Sequence, residues 1–269
     1  KDKQIEIKVE KALGLKHKDS ECATFEAVLK TEKSTWTMLI RLFRQSRGIE
    51  VENIVDWNEK HVLAKAQFEC NLLTRKAVCD TSAGFIERET HRNTTWQQAR
   101  FEVCHHKWVD MAETDGGIAL INDSKYGVGL LENSMSLSLL RATVRPDVTS
   151  DLGHHEFSYM IYPHGDDFVK AEINNIAYEY NVPLCKADFS CKSSFDGLYL
   201  QTMKMSEKGD MIVVRLSEQN GRRGSLKLGH KVRLLNFLED VTGETDTVSY
   251  RPFEIITIGI DKADASLLS

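Results

Sequence analysis

No run of apolar residues in this chain approaches the roughly 20 that cross a bilayer. The charged start Lys1-Asp2-Lys3 leads into an alternating pattern, with no signal-peptide core. A membrane is therefore not expected among the partners. The six cysteines, at 22, 70, 79, 104, 185 and 191, form no Cys-x-x-Cys pair. That spacing argues against a zinc cage or a disulfide framework and for mostly buried, reduced thiols, so a cytoplasmic location is expected. Basic clusters are scarce too: the formal net charge is −5 and the pI near 6.0. A phosphate-binding surface needs clustered Lys and Arg, so nucleic acid is not an expected partner. There is no internal repeat, no low-complexity tract and no His-Glu-x-x-His helix motif.

What is present is strand pattern. Apolar and polar residues alternate at period two in Ile5–Val9, Thr35–Phe43, Ile49–Trp57 and Val62–Phe68. Further strands are expected at Phe101–His105, Gly117–Ile121, Met135–Leu139, Phe157–Tyr162, Leu198–Met205, Met211–Leu216, Lys231–Leu238 and Phe253–Ile260. Each alternating segment has one apolar face to bury, which calls for sheets packed in layers. One segment departs: Val169, Ile173, Ile176, Ala177 and Tyr180 fall on one stripe of a helix over 167–181, capped by Asp166 or Asp167 and stopped by Pro183. Lys, Ser, Asp and Gly collect near 185–197, which places a boundary there. The expected organisation is a large β-sandwich over 1–190, a smaller β domain over 191–260 and a tail over 261–269. Ser206–Asp210 and Asn220–Gly224 read as hairpin turns.

Three polar clusters sit at strand ends in the centre: Asn122–Gly127, Arg141–Asp147 and Gly153–Glu156. Binding residues favour such connections. Around them lie GIALINDSKYG at 117–127, LSLLR at 137–141 and GHHEFSYMIYPH at 153–164. Outward come VDWNEKH at 55–61, ETHRNTTW at 89–96, ARFEV at 99–103, YNVPL at 180–184, NGRRG at 220–224 and RPFEI at 251–255. In this order the motifs resemble the C-terminal region of family 38 glycoside hydrolases, the α-mannosidases, and most closely the cytosolic and bacterial branch.

The resemblance implies a mainly β fold: a large sandwich of the supersandwich, galactose-mutarotase-like kind, one short amphipathic helix and a smaller C-terminal β-sandwich. It implies a retaining, metal-dependent glycosidase that releases mannose from α-mannosides and N-glycan-type oligosaccharides. The nucleophilic Asp and the zinc or other divalent metal of that family belong to an N-terminal catalytic domain, which is not in this sequence. No cofactor and no catalytic residue is therefore assigned here. The partners implied are that catalytic domain and a mannose-containing oligosaccharide, and a homo-oligomer is compatible with this. A free-standing carbohydrate-binding sandwich and a purely structural module are the alternatives.

Candidate cleft residues follow from the clusters. Asp123, Lys125 and Tyr126 occupy a Gly-terminated turn suited to sugar or domain contact, or simply to an Asp-stabilised turn. Arg141 ends a strand, where it either pairs with Asp147 or Asp151 or serves the mannose pocket as the resemblance implies; Arg145 competes for that match. His91, Arg92 and Asn93 precede Trp96, which is flanked by Thr and Gln and is the best sugar-stacking platform. Trp57 and Trp108 lie in strand patterns and belong to the core. His154 and His155 neighbour Glu156, but adjacent strand residues point to opposite faces, so each pair gives at most one ligand to a common metal. The pattern Asn-x-Ser/Thr occurs at Asn93 and Asn122.

Overall fold

The computed structural model describes residues 4–143, 145–182, 195 and 197–262. The chain divides into two compact units, Lys1–Asp80 with Ile86–Pro183, and Thr81–Phe85 with Leu184–Ser269. The expected boundary segment, except residues 195 and 197, and the tail from 263 lie outside the described residues.

In chain order the elements are β1 (Lys8–Lys18), β2 (Cys22–Lys30), β3 (Thr35–Phe43), β4 (Ile49–Trp57), β5 (Ala64–Glu69), β6 (Lys76–Thr81) and β7 (Gly84–Glu89). Then come α1 (Thr95–Gln98), β8 (Val103–Cys104), β9 (Trp108–Ala112), β10 (Gly117–Asn122), β11 (Gly127–Leu131), β12 (Ser134–Leu140), β13 (Gly153–His164) and α2 (Ile173–Asn181). The last five are β14 (Tyr199–Met205), β15 (Met211–Ser217), β16 (Gly224–Leu235), β17 (Val241–Tyr250) and β18 (Ile255–Asp261). The chain is mainly β, as the alternation requires.

The first sheet has the order β1-β2-β3-β4-β13-β10-β9-β6-β7, the second β5-β12-β11-β8. Val51, Val55, Trp57, Val109, Met111, Leu120, Phe157 and Tyr159 of the first sheet share one core with Val128, Leu130, Met135, Leu137 and Leu139 of the second. Burying each such side chain contributes roughly 1.5–3 kcal/mol. Trp57 and Trp108 are buried, as their strand positions demand.

Alternation puts Trp108, Ala119 and Ile121 on the opposite face of the first sheet from that core, and all three are fully buried. α2 packs there on β10 and β9. Trp108 Nε1 donates to Asn174 Oδ1 at 2.9 Å, and Tyr180 Oη donates to Ser158 Oγ at 2.6 Å. The helix starts later than its stripe suggested. Asp167 Oδ1 accepts from the backbone of Val169 and Lys170 at 2.9 and 3.0 Å, which closes a separate turn. Glu172 then adopts φ 55, and regular helix begins only at Ile173. Asp166 and Asp167 therefore do not cap α2, and Pro183 lies outside the described residues.

The second unit is one antiparallel sheet, β14-β15-β18-β16-β17. β16 pairs with β17 along both its halves but with β18 only at Arg233–Leu235, after a break at Lys227–Val232 where Gly229 takes φ 76. The strand bends there, so Leu226 and Val248 fold over Val214, Leu216 and Ile258 in one core. Ser206–Asp210 is a true hairpin turn, since β14 and β15 pair. Asn220–Gly224 is not: β15 pairs with β18 rather than β16. Its turn is held by the buried Glu218, which accepts from the backbone of Asn220 and Gly221 at 2.8 and 3.0 Å. Of the described cysteines, all free, Cys70 and Cys79 are buried, Cys22 is half-buried and Cys104 is exposed.

Candidate functional site

The outward face of β5, β12 and β11 carries a polar groove that two of the expected residues, Arg92 and Arg141, line. On β12 Met135, Leu137 and Leu139 point into the core, so Ser134, Ser136 and Ser138 point out. Register sets Ser136 beside Gln67 of β5 and Gly129 of β11. Small side chains keep this floor low: a Cβ on Gly129 would meet Ser136 Oγ at 2.6 Å. The result is a recess of about 510 Å³, with Lys65, Gln67 and Ser136 on the floor and Arg92, Phe101, Glu102 and Arg141 at its margins.

Glu102 is anchored twice, by Lys65 Nζ at 2.5 Å and by Ser138 Oγ, which donates at 2.6 Å. Partial burial pushes its carboxyl upward, but the Lys65 and Ser138 hydrogen bonds and the nearby charges of Lys65 and Arg141 outweigh it and hold the group below its ordinary value. Arg92 lies 6.0 Å from the ring centroid of the exposed Phe101. Between them α1 is fixed by a capping box, with Thr94 Oγ1 accepting from Gln97 N and Gln97 Oε1 accepting from the backbone of Asn93 and Thr94. Trp96 projects from α1 at 83% exposure. His91 lines recesses on both sides of this segment, which it shares with Glu89 and Arg92 on one side and Asn133 on the other.

At the far end of β12, Asp151 Oδ2 accepts from Arg141 N and Ala142 N at 2.8 and 3.0 Å. The carboxylate thus takes the Arg141 backbone and not its guanidinium, while Asp147 is occupied by Thr149. Neither ion pair proposed from the sequence is present.

A second polar system is built on Asn122, which is fully buried. Its Oδ1 accepts from Lys125 N at 2.7 Å, so its amide nitrogen faces His105 Nε2 at 2.9 Å and His106 O at 2.8 Å. His105 Nε2 must accept, and burial accordingly pushes the imidazole down to about 4. The unfolded chain takes up this proton near 6.5 and the folded chain only near 4, so stability is lost as the pH falls through that window. The contribution is on the order of 3 kcal/mol. Denaturation at pH 7 and pH 4.5 should show the acid loss shrinking by that order in His105→Gln; the same loss in both proteins would contradict it.

Asp123 Oδ2 accepts from Ser158 N and Oγ at 2.7 and 2.8 Å, stapling the turn to β13. Lys125 Nζ sits 4.3 Å over the Phe157 ring. Burial lowers the Lys125 ammonium from its usual value against the opposing pull of Asp151 and Asp123. Tyr126 is exposed beside His106. His154, at an exposed position of β13, bridges Asp56 and Glu156 at 3.0 and 3.1 Å, and these partners raise its ring above the ordinary value. His155 Nε2 lies 2.9 Å from Asp151 O. Among the described residues no three His, Cys, Asp or Glu groups come together to hold a metal ion. The metal that the resemblance implies does not fit these residues.

Residues 3–149, more than half the chain, match the glycosyl hydrolases family 38 C-terminal domain. The chain belongs to glycosyl hydrolase family 38. Residues 197–258 match the family 38 C-terminal β-sandwich domain. Alpha-mannosidase G of Dictyostelium discoideum is 35% identical over 239 residues, covering 79% of this chain and 22% of that protein. Alpha-mannosidase 2C1 of Mus musculus is 38% identical over 180 residues, 62% of this chain and 17% of that protein. The chain thus spans less than a quarter of the length of these relatives. An α-mannosidase structure from Enterococcus faecalis superposes with TM-score 0.76 at 15% identity, over 95% of this chain and 35% of that one, a likeness of fold.

Within this family 38 region the groove brings together Arg141 and Arg92, with His91 adjacent. Asn93 serves the α1 cap and Trp96 stands beside it. Arg145 precedes a cis peptide bond to Pro146 and does not line the groove. Asp123, Lys125, Tyr126, His154 and His155 do not line it either. Asn122 is closed to any glycan by its burial. Lys65, Phe101, Glu102 and Ser136 were missed; the signal was the outward Ser row of β12 and the Ala-Lys-Ala-Gln alternation of β5. No helix among the described residues is long and apolar enough to cross a membrane.

Proposed function

We propose that this chain is the C-terminal region of a retaining, metal-dependent α-mannosidase that releases mannose from α-mannosides of the N-glycan type. In this reading it braces the catalytic domain and closes one side of the substrate cleft with the β5-β12-β11 groove. The observation that carries it is the convergence of Arg92, Arg141, Glu102 and exposed Phe101 on one groove, in a chain 35% identical to an α-mannosidase. Guanidinium forks hold vicinal hydroxyls, a carboxylate accepts from them, and an aromatic ring stacks on the sugar's apolar face.

Hydrolysis with retention needs two carboxyl groups about 5 Å apart. Among the described residues a single carboxylate, Glu102, lines the groove, and Lys65 and Ser138 hold it. The nucleophile and the zinc or other divalent ion therefore belong, in this reading, to the remainder of the enzyme. The cytoplasmic location belongs to it too, supported by the four cysteines among the described residues, which are all free. A free-standing sugar-binding sandwich would favour two or three aromatic platforms on one sheet face; the groove floor here is Ser, Gly, Lys and Gln.

The test is turnover of 4-nitrophenyl α-mannoside with and without added zinc. The purified 269-residue chain should give none and the intact enzyme metal-dependent turnover. Metal-dependent hydrolysis by the chain alone, or an intact protein inert toward α-mannosides, removes this reading.

A further inference from the structure

We propose that Asp151 is a positioning residue, whose carboxylate fixes the Arg141–Ala142 backbone and thereby aims the Arg141 guanidinium across the groove. The proposal rests on the reading of that groove given above.

Three non-glycine residues in the left-handed region meet at this point: His61 at φ 60, Ala142 at φ 47 and Asp151 at φ 61. Hydrogen bonds join them. His61 N donates to Ala142 O at 3.1 Å, and Ala142 N donates to Asp151 Oδ2 at 3.0 Å. Arg141 N donates to the same oxygen at 2.8 Å. His155 Nε2, 2.9 Å from Asp151 O, ties the other side of the residue to β13.

Left-handed backbone is unfavourable for residues with a Cβ, and persists only where the surroundings over-determine it. Here the surroundings are one carboxylate oxygen receiving two amides, with Ala142 buried at 2% exposure. Nothing comparable holds the other end of Arg141. Its guanidinium makes no hydrogen bond or ion pair among the described residues, although it lies close enough to lower the Glu102 carboxyl. The direction of its side chain is therefore set from the backbone. Remove the carboxylate, and two amides lose their acceptor, Ala142 relaxes toward right-handed φ, and the Cα–Cβ direction of Arg141 turns.

The test has two parts. Crystal structures of the 269-residue chain and of its Asp151→Ala variant should show Ala142 leaving positive φ and Arg141 swinging away from Glu102. An unmoved Arg141 overturns the proposal whether or not the intact protein hydrolyses mannosides. In the intact enzyme, Asp151→Ala should lower kcat/KM by roughly ten- to a hundred-fold, as sub-ångström to ångström misplacement does. Asp151→Asn, which keeps one acceptor oxygen, should recover most of it. The double variant Asp151→Ala/Arg141→Ala should be no slower than Arg141→Ala alone, while the losses in Tm add. Multiplying kinetic losses would show that Asp151 acts independently of Arg141 and overturn the assignment. A wild-type enzyme inert toward mannosides would sink the proposed function and leave the structural comparison to judge Asp151.

Discussion

Ile173→Asp is expected to destabilise the first unit by about 3–5 kcal/mol. Ile173 has no exposed surface, and Ala177, one turn on, has none either. Both press on the face of the first sheet that carries Trp108, Ala119 and Ile121, all fully buried. A carboxylate there would find apolar atoms, the Trp108 indole already donating to Asn174 and its ring packed on Phe168 at 5.1 Å. It must enter either unpaired or protonated, and each costs several kcal/mol. Tyr178→Asp, at a helix position 48% exposed, is the control and should cost little. Thermal melts of the two variants decide the matter. An unchanged Tm for Ile173→Asp would mean that the stripe is not packed.

That stripe shows where sequence pattern suffices and where it fails. Apolar spacing located α2 and its buried face, because burial is what the spacing records. It could not locate the helix start, which depends on Asp167 closing a local turn and on Glu172 adopting φ 55. The same division holds among the strands. Thr35–Phe43 and Ile49–Trp57 were legible to the residue, since alternate residues turn to one core, Trp36, Met38 and Ile40 from the first and Val51, Val55 and Trp57 from the second. β9 was not, because Trp108 to Met111 are buried on both faces and the alternation vanishes. β2 mixes Ala, Thr and Glu on half-buried faces and β17 is mostly exposed Thr, Glu and Asp, so their contrast is weak. β1 begins at Lys8 rather than Ile5 and runs almost wholly exposed.

The candidate site divides similarly. Arg141 was visible because an abrupt charge ends an apolar strand. Glu102 and Lys65 were not, because their partnership joins residues 37 apart in sequence and exists only once β5, β12 and β8 share a sheet. Asp151 was legible only as a possible ion-pair partner of the Arg141 side chain, not as the acceptor of its backbone N–H. Its donors are the backbone amides of Arg141 and Ala142, and no pattern of side chains reports which amides a carboxylate will find.

In the intact enzyme, Arg141→Lys is expected to lower kcat/KM by roughly ten-fold to a thousand-fold, about 1.4–4 kcal/mol of transition-state stabilisation. The argument is geometric. Arg141 follows β12, whose inward residues are among the most buried in the first unit, so its Cα is carried by a rigid element. Its guanidinium reaches the groove without a protein partner among the described residues, leaving the planar fork of donors for a ligand. An ammonium keeps the charge but not the fork, and cannot span two vicinal hydroxyls in one plane. Stability should hardly change, since the contacts that order this point are made by the Arg141 backbone and survive the substitution. A structural ion-pair role would give the reverse, a lower Tm with intact kinetics. Arg145→Lys separates the two arginines that the sequence left in competition. Arg145 is exposed beyond the groove margin, so that variant should keep wild-type kinetics. If Arg141→Lys also turns over α-mannosides at the wild-type rate, the strand end does not reach the reacting sugar, and the groove serves the neighbouring domain alone.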